Sequence, residues 1–205
     1  MRTPFRRQGA SLLETPATPT YDPEVCSLFS IQDLFMTRII ELVPYDVVWP
    51  DLFEREAELI RAALGPNCLE IHHIGSTAVP GLIAKPVIDM LPVVSNIVHV
   101  DFAVEIMQQL GYEGKGEFGI PARRFFMKGG DNRTHHVHVY EKNNAEIERH
   151  LRFRDWLRSH PDDRTAYQNL KMELAAQFAH DPLAYSANKD GLIRAIELRA
   201  MLRKK

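Results

Sequence analysis

The chain has 205 residues, 45% of them hydrophobic and 25% charged, with a formal net charge of −2. That composition excludes a disordered, collagen-like or solenoid protein, and a chain of this length buries ~70% of its unfolded surface, enough for a core without staples. Near-neutral charge gives no strong nucleic-acid signal, no apolar run reaches the ~20 residues that span a membrane, and two cysteines, Cys26 and Cys68, form no disulfide framework.

Residues 1–37 read as an N-terminal extension, partly disordered, because the stretch to Pro23 holds four prolines and a TPATPT tract. Its early arginines faintly resemble an organelle transit peptide, but it lacks the apolar core of a secretory signal, and a cytoplasmic location is the expectation. Within it, residues 24–37 are apolar enough to dock as a helix with Leu28, Ile31, Leu34 and Phe35 inward. One domain then covers 38–205, opening with a short strand in RIIELV. From Trp49, apolar residues at 53, 57, 60 and 64 mark an amphipathic helix, with Pro50 in its first turn and Gly65-Pro66-Asn67 as its stop. LEIHHI (69–74) reads as a strand, followed by Gly75-Ser76-Thr77 at the mouth of a second helix. VIDMLPVV (87–94) reads as a strand covered on both faces, with Asp89 its one acid. Residues 100–110 have helical spacing, 123–141 read as two strands joined at Gly129–Asn132, and three helices fill the last third, bounded by Pro161 and Pro182. The fold class expected is α/β (α+β): a mixed sheet flanked by helices, with a C-terminal helical part.

Three features carry chemistry. A glycine after a strand permits a tight turn and close approach of a ligand, and Gly75, Ser76 and Thr77 at a helix start would hold an anion, although such a pair is often only a turn. Asp89 stands alone among apolar neighbours, where a carboxylate needs a metal, a reaction or bonds to loop N–H groups. His136 and His138, two apart on a strand, share a face with Tyr140 while Val137 and Val139 point to the core; the plain alternative is a polar outer face. His73 reads as a core histidine, and Glu54, Glu56, Lys128 and Arg133 as solvated charge, with Glu70 a weak candidate for a second acid.

Gly75-Ser76, twelve residues, then Asp89 resembles the signature of the nucleotidyltransferase superfamily. More closely, HIGSTAVPGLIAKPVIDM (73–90) resembles the GrpB-like family, a branch of it. The likeness extends to 43–56, THHVHVYE (134–141), HLRFRDWLR (150–158), Tyr167 with Leu170-Lys171, and Tyr185 with Lys189. It implies a nucleotidyltransferase-like sheet and transfer of a nucleotidyl group from a nucleoside triphosphate to an acceptor. The implied partner is a nucleotide or other phosphorylated small molecule. Gly75, Ser76, Thr77, Lys85, Arg124, Arg154, Lys171, Tyr185 and Lys189 would hold phosphates; Asp89, His136 and His138 would be catalytic and would bind a divalent metal, Mg or Mn, or Zn. Leu91 departs from the pattern, since active members of the superfamily carry a second acid there. A catalytically reduced nucleotide- or phosphate-binding module is therefore the alternative. A protein-interaction domain using Phe29, Leu34 and Phe35 is a third.

Overall fold

The Trp49–Leu64 stripe is the simplest place to see why the chain folds as it does. In the structure, a computed structural model that describes residues 39–203, these residues form helix α1 (Trp49–Leu64) with all five stripe positions buried. The earlier segment, including the helix expected over 24–37 and the extension itself, lies outside the described residues. Helix α1 lays its stripe on Ile88, Met90 and Val94 of strand β2 (Ile88–Val94) and on Val137 and Val139 of strand β5 (His135–Glu141). Each such side chain contributes about 1.5–3 kcal/mol by leaving water.

With β1 (Cys68–Ile74), β3 (Tyr112–Gly114) and β4 (Arg123–Lys128), these strands make one mixed sheet in the order β1-β2-β5-β4-β3. Only β2 and β5 run parallel, and that pairing sets Asp89 opposite His136. The second face of the sheet carries Ile74, Leu91, Val93 and Tyr140 beneath helix α3 (Ala145–Ser159). Helices α4 (Pro161–Gln177) and α5 (Pro182–Leu202) complete the helical part. Asn144 and Asp181 cap α3 and α5 by accepting backbone N–H bonds, and Pro161 sits in the first turn of α4.

Three details differ from the sequence reading. The described part of RIIELV, residues 39–43, forms no strand: Val43 makes a single antiparallel bridge to Ala84, and Ile40 donates its N–H to Ala179 O instead. The helix expected over 100–110 splits into 3-10 turns at Val98–Ala103 and a short α2 (Val104–Gln109). Strand β3 has three residues, too few for its alternation to stand out in the sequence. Among the described residues no helix is long and apolar enough to cross a membrane.

Candidate functional site

Strand β1 delivers the chain to Gly75, which takes φ +71° and turns it into a single 3-10 turn, Ser76–Ala78. A Cβ on Gly75 would run into Asp89 Oδ2, so glycine alone lets the turn lie against that carboxylate. The expected helix start is thus only three residues long, and the summed dipole of a full helix is not available there. The Thr77 hydroxyl is buried, donating to Val87 O at 3.3 Å and meeting His73 Nε2 at 3.0 Å, so it braces the turn.

Asp89 Oδ1 accepts from His136 Nδ1 at 3.0 Å, with His138 Nε2 at 3.9 Å. Burial alone would raise the Asp89 pKa; the two imidazoles outweigh it and hold the carboxylate below its usual range. His138 is shifted down by burial, against the pull of Asp89. His150 of α3 stands with its ring 5.9 Å from that of His138 and is lowered to about 3, by burial first and then by His138 and Arg149. On the far side of His138, Arg123 of β4 places Nη1 3.3 Å from Nδ1.

Facing this cluster across a cleft of about 380 Å³ are three lysines from three separate segments. Lys171 of α4 is only 3% exposed, and its ammonium donates to Ile83 O. Burial, then the nearby Lys189, then Lys85 pull its pKa down to about 7, with Asp89 opposing. Lys189 of α5 is also lowered by burial, again against Asp89. Lys189 and Lys85 stand 4.3 and 4.7 Å from the centre of the Tyr185 ring, and Lys171 stands 5.4 Å from that of Tyr167. Gly75, Ser76 and Thr77 line the same cleft.

Two expected phosphate contacts lie elsewhere. Arg124 points to the opposite face of the sheet, where Nε and Nη2 donate to Asp101 at 2.6 and 2.9 Å. Arg154 of α3 braces β1 outside the cleft, donating from Nη1 to His73 O at 2.9 Å and pairing with Asp155. Glu56 and Lys128, read as solvated, form an ion pair of 2.7 Å with Glu56 buried under β3 and β4. Arg133 is half-buried, donating from Nε to Gly130 O at 3.1 Å. Glu70 is exposed and pairs with His72, away from the cleft. His73 is the core histidine expected, stacked on Phe53 with centroids 4.8 Å apart. Sequence reading missed Arg123 and His150; which of Arg123 and Arg124 shares a face with His138 is set by the pairing of β4 with β5 and is not written in the sequence.

The chain matches the family model for GrpB protein over residues 39–199. It belongs to the GrpB family. UPF0157 protein YqkA of Bacillus subtilis strain 168 is 46% identical over 178 residues, 87% of this chain, and that alignment spans 52% of YqkA's own length. UPF0157 protein PA4798 of Pseudomonas aeruginosa is 45% identical over 79% of this chain and 68% of its own. The crystal structure of conserved protein GrpB from Enterococcus faecalis shares the fold with a TM-score of 0.76, 43% identity, and coverage of 80% of this chain and 98% of that one.

The sequence likeness to nucleotidyltransferases carries the expectation of a divalent metal at Asp89, His136 and His138. Ligand atoms of Asp89, His136 and His138 do gather within 4.8 Å of one another. The second acid of a two-ion centre is absent: position 91 is a fully buried leucine packed with Ile74, Val93 and Tyr140. One carboxylate and two imidazoles do not make the oxygen-rich pair of sites that Mg²⁺ needs, so the residues present do not fit that centre.

Proposed function

We propose that the cleft binds the phosphate chain of a nucleoside triphosphate and transfers its nucleotidyl group to an acceptor hydroxyl. What carries the reading is the set of three lysines facing one carboxylate and its histidines in a space large enough for a small ligand. Lys85, Lys171 and Lys189 neutralise the phosphate oxygens, and the Gly75–Thr77 turn bounds the chain's other side. His136, oriented through Nδ1 by Asp89, keeps its Nε2 lone pair for the acceptor proton. The acceptor oxygen then bonds to the α-phosphorus as the bond from that phosphorus to the bridging oxygen breaks. Pyrophosphate leaves, its charge met by the lysines. An Asp89 held ionised stabilises the imidazolium formed on His136.

The test pairs thermal shift with product analysis, using a panel of nucleoside triphosphates and candidate hydroxyl acceptors. A binding nucleotide at a hundred times its Kd adds about 2.7 kcal/mol of stability. Loss of the base in His136→Asn lowers turnover by about 10²–10⁴-fold while leaving that stabilisation in place. Indifference of the melting temperature to every nucleotide would refute the reading. Binding without product, which Leu91 favours as a second reading, would confine the protein to nucleotide capture.

A further inference from the structure

The contact between Arg123 and His138 decides how the histidine can act. We infer that Arg123 locks His138 with its proton on Nε2, facing Asp89, and so keeps a metal ion out of the space shared by Asp89, His136 and His138. The inference deepens the proposed function, since it assigns a role to groups of the same cleft.

A guanidinium has donors and no acceptor, so at 3.3 Å from Arg123 Nη1 the Nδ1 of His138 must hold a lone pair. A neutral imidazole carries one N–H, which then sits on Nε2, the nitrogen 3.9 Å from Asp89 Oδ1. Coordination of an ion between the three residues would need the Nε2 lone pair, which this tautomer does not have. Arg123 is in no position to yield. It is 5% exposed, donates from Nε to Glu117 O at 3.2 Å and from Nη2 to Phe118 O at 2.8 Å, and lies 4.7 Å over the Phe125 ring. Phe118 and Ala122 hold φ of +45° and +60°, so the loop that aims those carbonyls is itself in a costly conformation, fixed by its surroundings. Arg123 is therefore a positioning residue: it acts on Asp89 through His138, whose lone pair it occupies, and leaves the Nε2 lone pair of His136 available.

The tautomer is read directly from long-range ¹⁵N–¹H correlation spectra of histidine-labelled protein at pH 7.5, and Zn²⁺ alone is titrated calorimetrically as the probe ion. The expected spectrum shows His138 protonated at Nε2 and bare at Nδ1. His138→Ala is expected to leave Zn²⁺ affinity of the otherwise native protein within about twofold, and an affinity too weak to measure in both counts the same way. Arg123→Met frees His138 and is expected to tighten Zn²⁺ binding by about tenfold or more, a gain abolished by adding His138→Ala. A spectrum with the proton on Nδ1, or a His138→Ala variant that loses Zn²⁺ affinity tenfold as Asp89→Ala would, overturns the inference. Should Arg123→Met fail to fold, the native spectrum and the His138→Ala titration decide it alone. Failure of nucleotides to bind is a separate result, seen in thermal shift, and would sink the nucleotide reading without altering the spectrum.

Discussion

Lys171 offers the sharpest quantitative test of a phosphate site. Its pKa of about 7 in the empty cleft, caused chiefly by burial, means that about half the molecules hold it neutral at pH 7 and about nine in ten at pH 8. A bound phosphate supplies the missing counter-charge and returns the proton, so binding takes up a proton above pH 7. The triphosphate's own last ionisation, near ~6, is complete above pH 7.5 and does not disturb the window. Between pH 8 and 9 the affinity of a nucleoside triphosphate should fall by about tenfold, with Lys189 acting in the same direction. Calorimetry in two buffers of different ionisation enthalpy counts the protons directly: about half of one at pH 7, approaching one at pH 8.5. Lys171→Met should weaken binding and abolish its share of the uptake. Stability has its own sign. Because the unfolded chain binds a proton that folded Lys171 lacks between about pH 7 and 10.5, the native protein gains stability as pH rises through that window. Below about pH 7 the buried charge costs up to ~5 kcal/mol, so Lys171→Met should be the more stable protein there. Native affinity flat from pH 7.5 to 9, or proton uptake undiminished in Lys171→Met, would refute this account.

Other positions give sharper structural contrasts. Gly75→Ala places a side chain against Asp89 Oδ2 at φ +71°, and should cost about 1–3 kcal/mol in urea unfolding together with the nucleotide-induced thermal shift. Leu91→Asp restores the second acid to the sequence pattern, but buries it among Ile74, Val93 and Tyr140; unfolding should show a loss of about 3–5 kcal/mol and no gain in turnover. Lys128→Met strands the buried Glu56 carboxylate on the opposite face of the sheet, so stability should fall by about 3 kcal/mol near neutral pH while nucleotide affinity stays unchanged.

What the sequence disclosed follows the range over which side chains act. Helix α1 and the two faces of β5 were legible because 3.6- and 2-residue periods are local, and Asp89 stood out because an acid in an apolar strand is an anomaly wherever the strand goes. Arg123 and Arg124 show where this stops. Adjacent residues on a strand face opposite ways, and only the pairing of Phe125 with His138 and of Arg124 with Val139 settles which of the two reaches the cleft. Lys171 and Lys189 were picked out by family likeness alone, since their meeting with Lys85 depends on how two helices pack against a loop. Glu56 and Lys128 each read as surface charge; their pairing across 72 residues is a product of the sheet's order.

The leucine at 91 and the lysines of the C-terminal helices are two sides of one arrangement. On the cleft face of β2, Asp89 lies toward the open end, while Leu91 lies under α3, meeting Ile147 and Leu151. An acid at 91 would have to be desolvated beneath that helix among Ile74, Val93, Ile147 and Leu151, at a cost of several kcal/mol. The same helical part that closes over Leu91 brings Lys171 and Lys189 to the opposite wall and His150 beside His138. Two ions held by two or three acids meet phosphate charge in a two-metal mechanism. Here three lysines face a single carboxylate, and two of the three come from helices beyond the sheet. Reinstating the acid alone would therefore not recreate an ion pair site; it would add a buried charge to a cleft whose cations already stand on its other side.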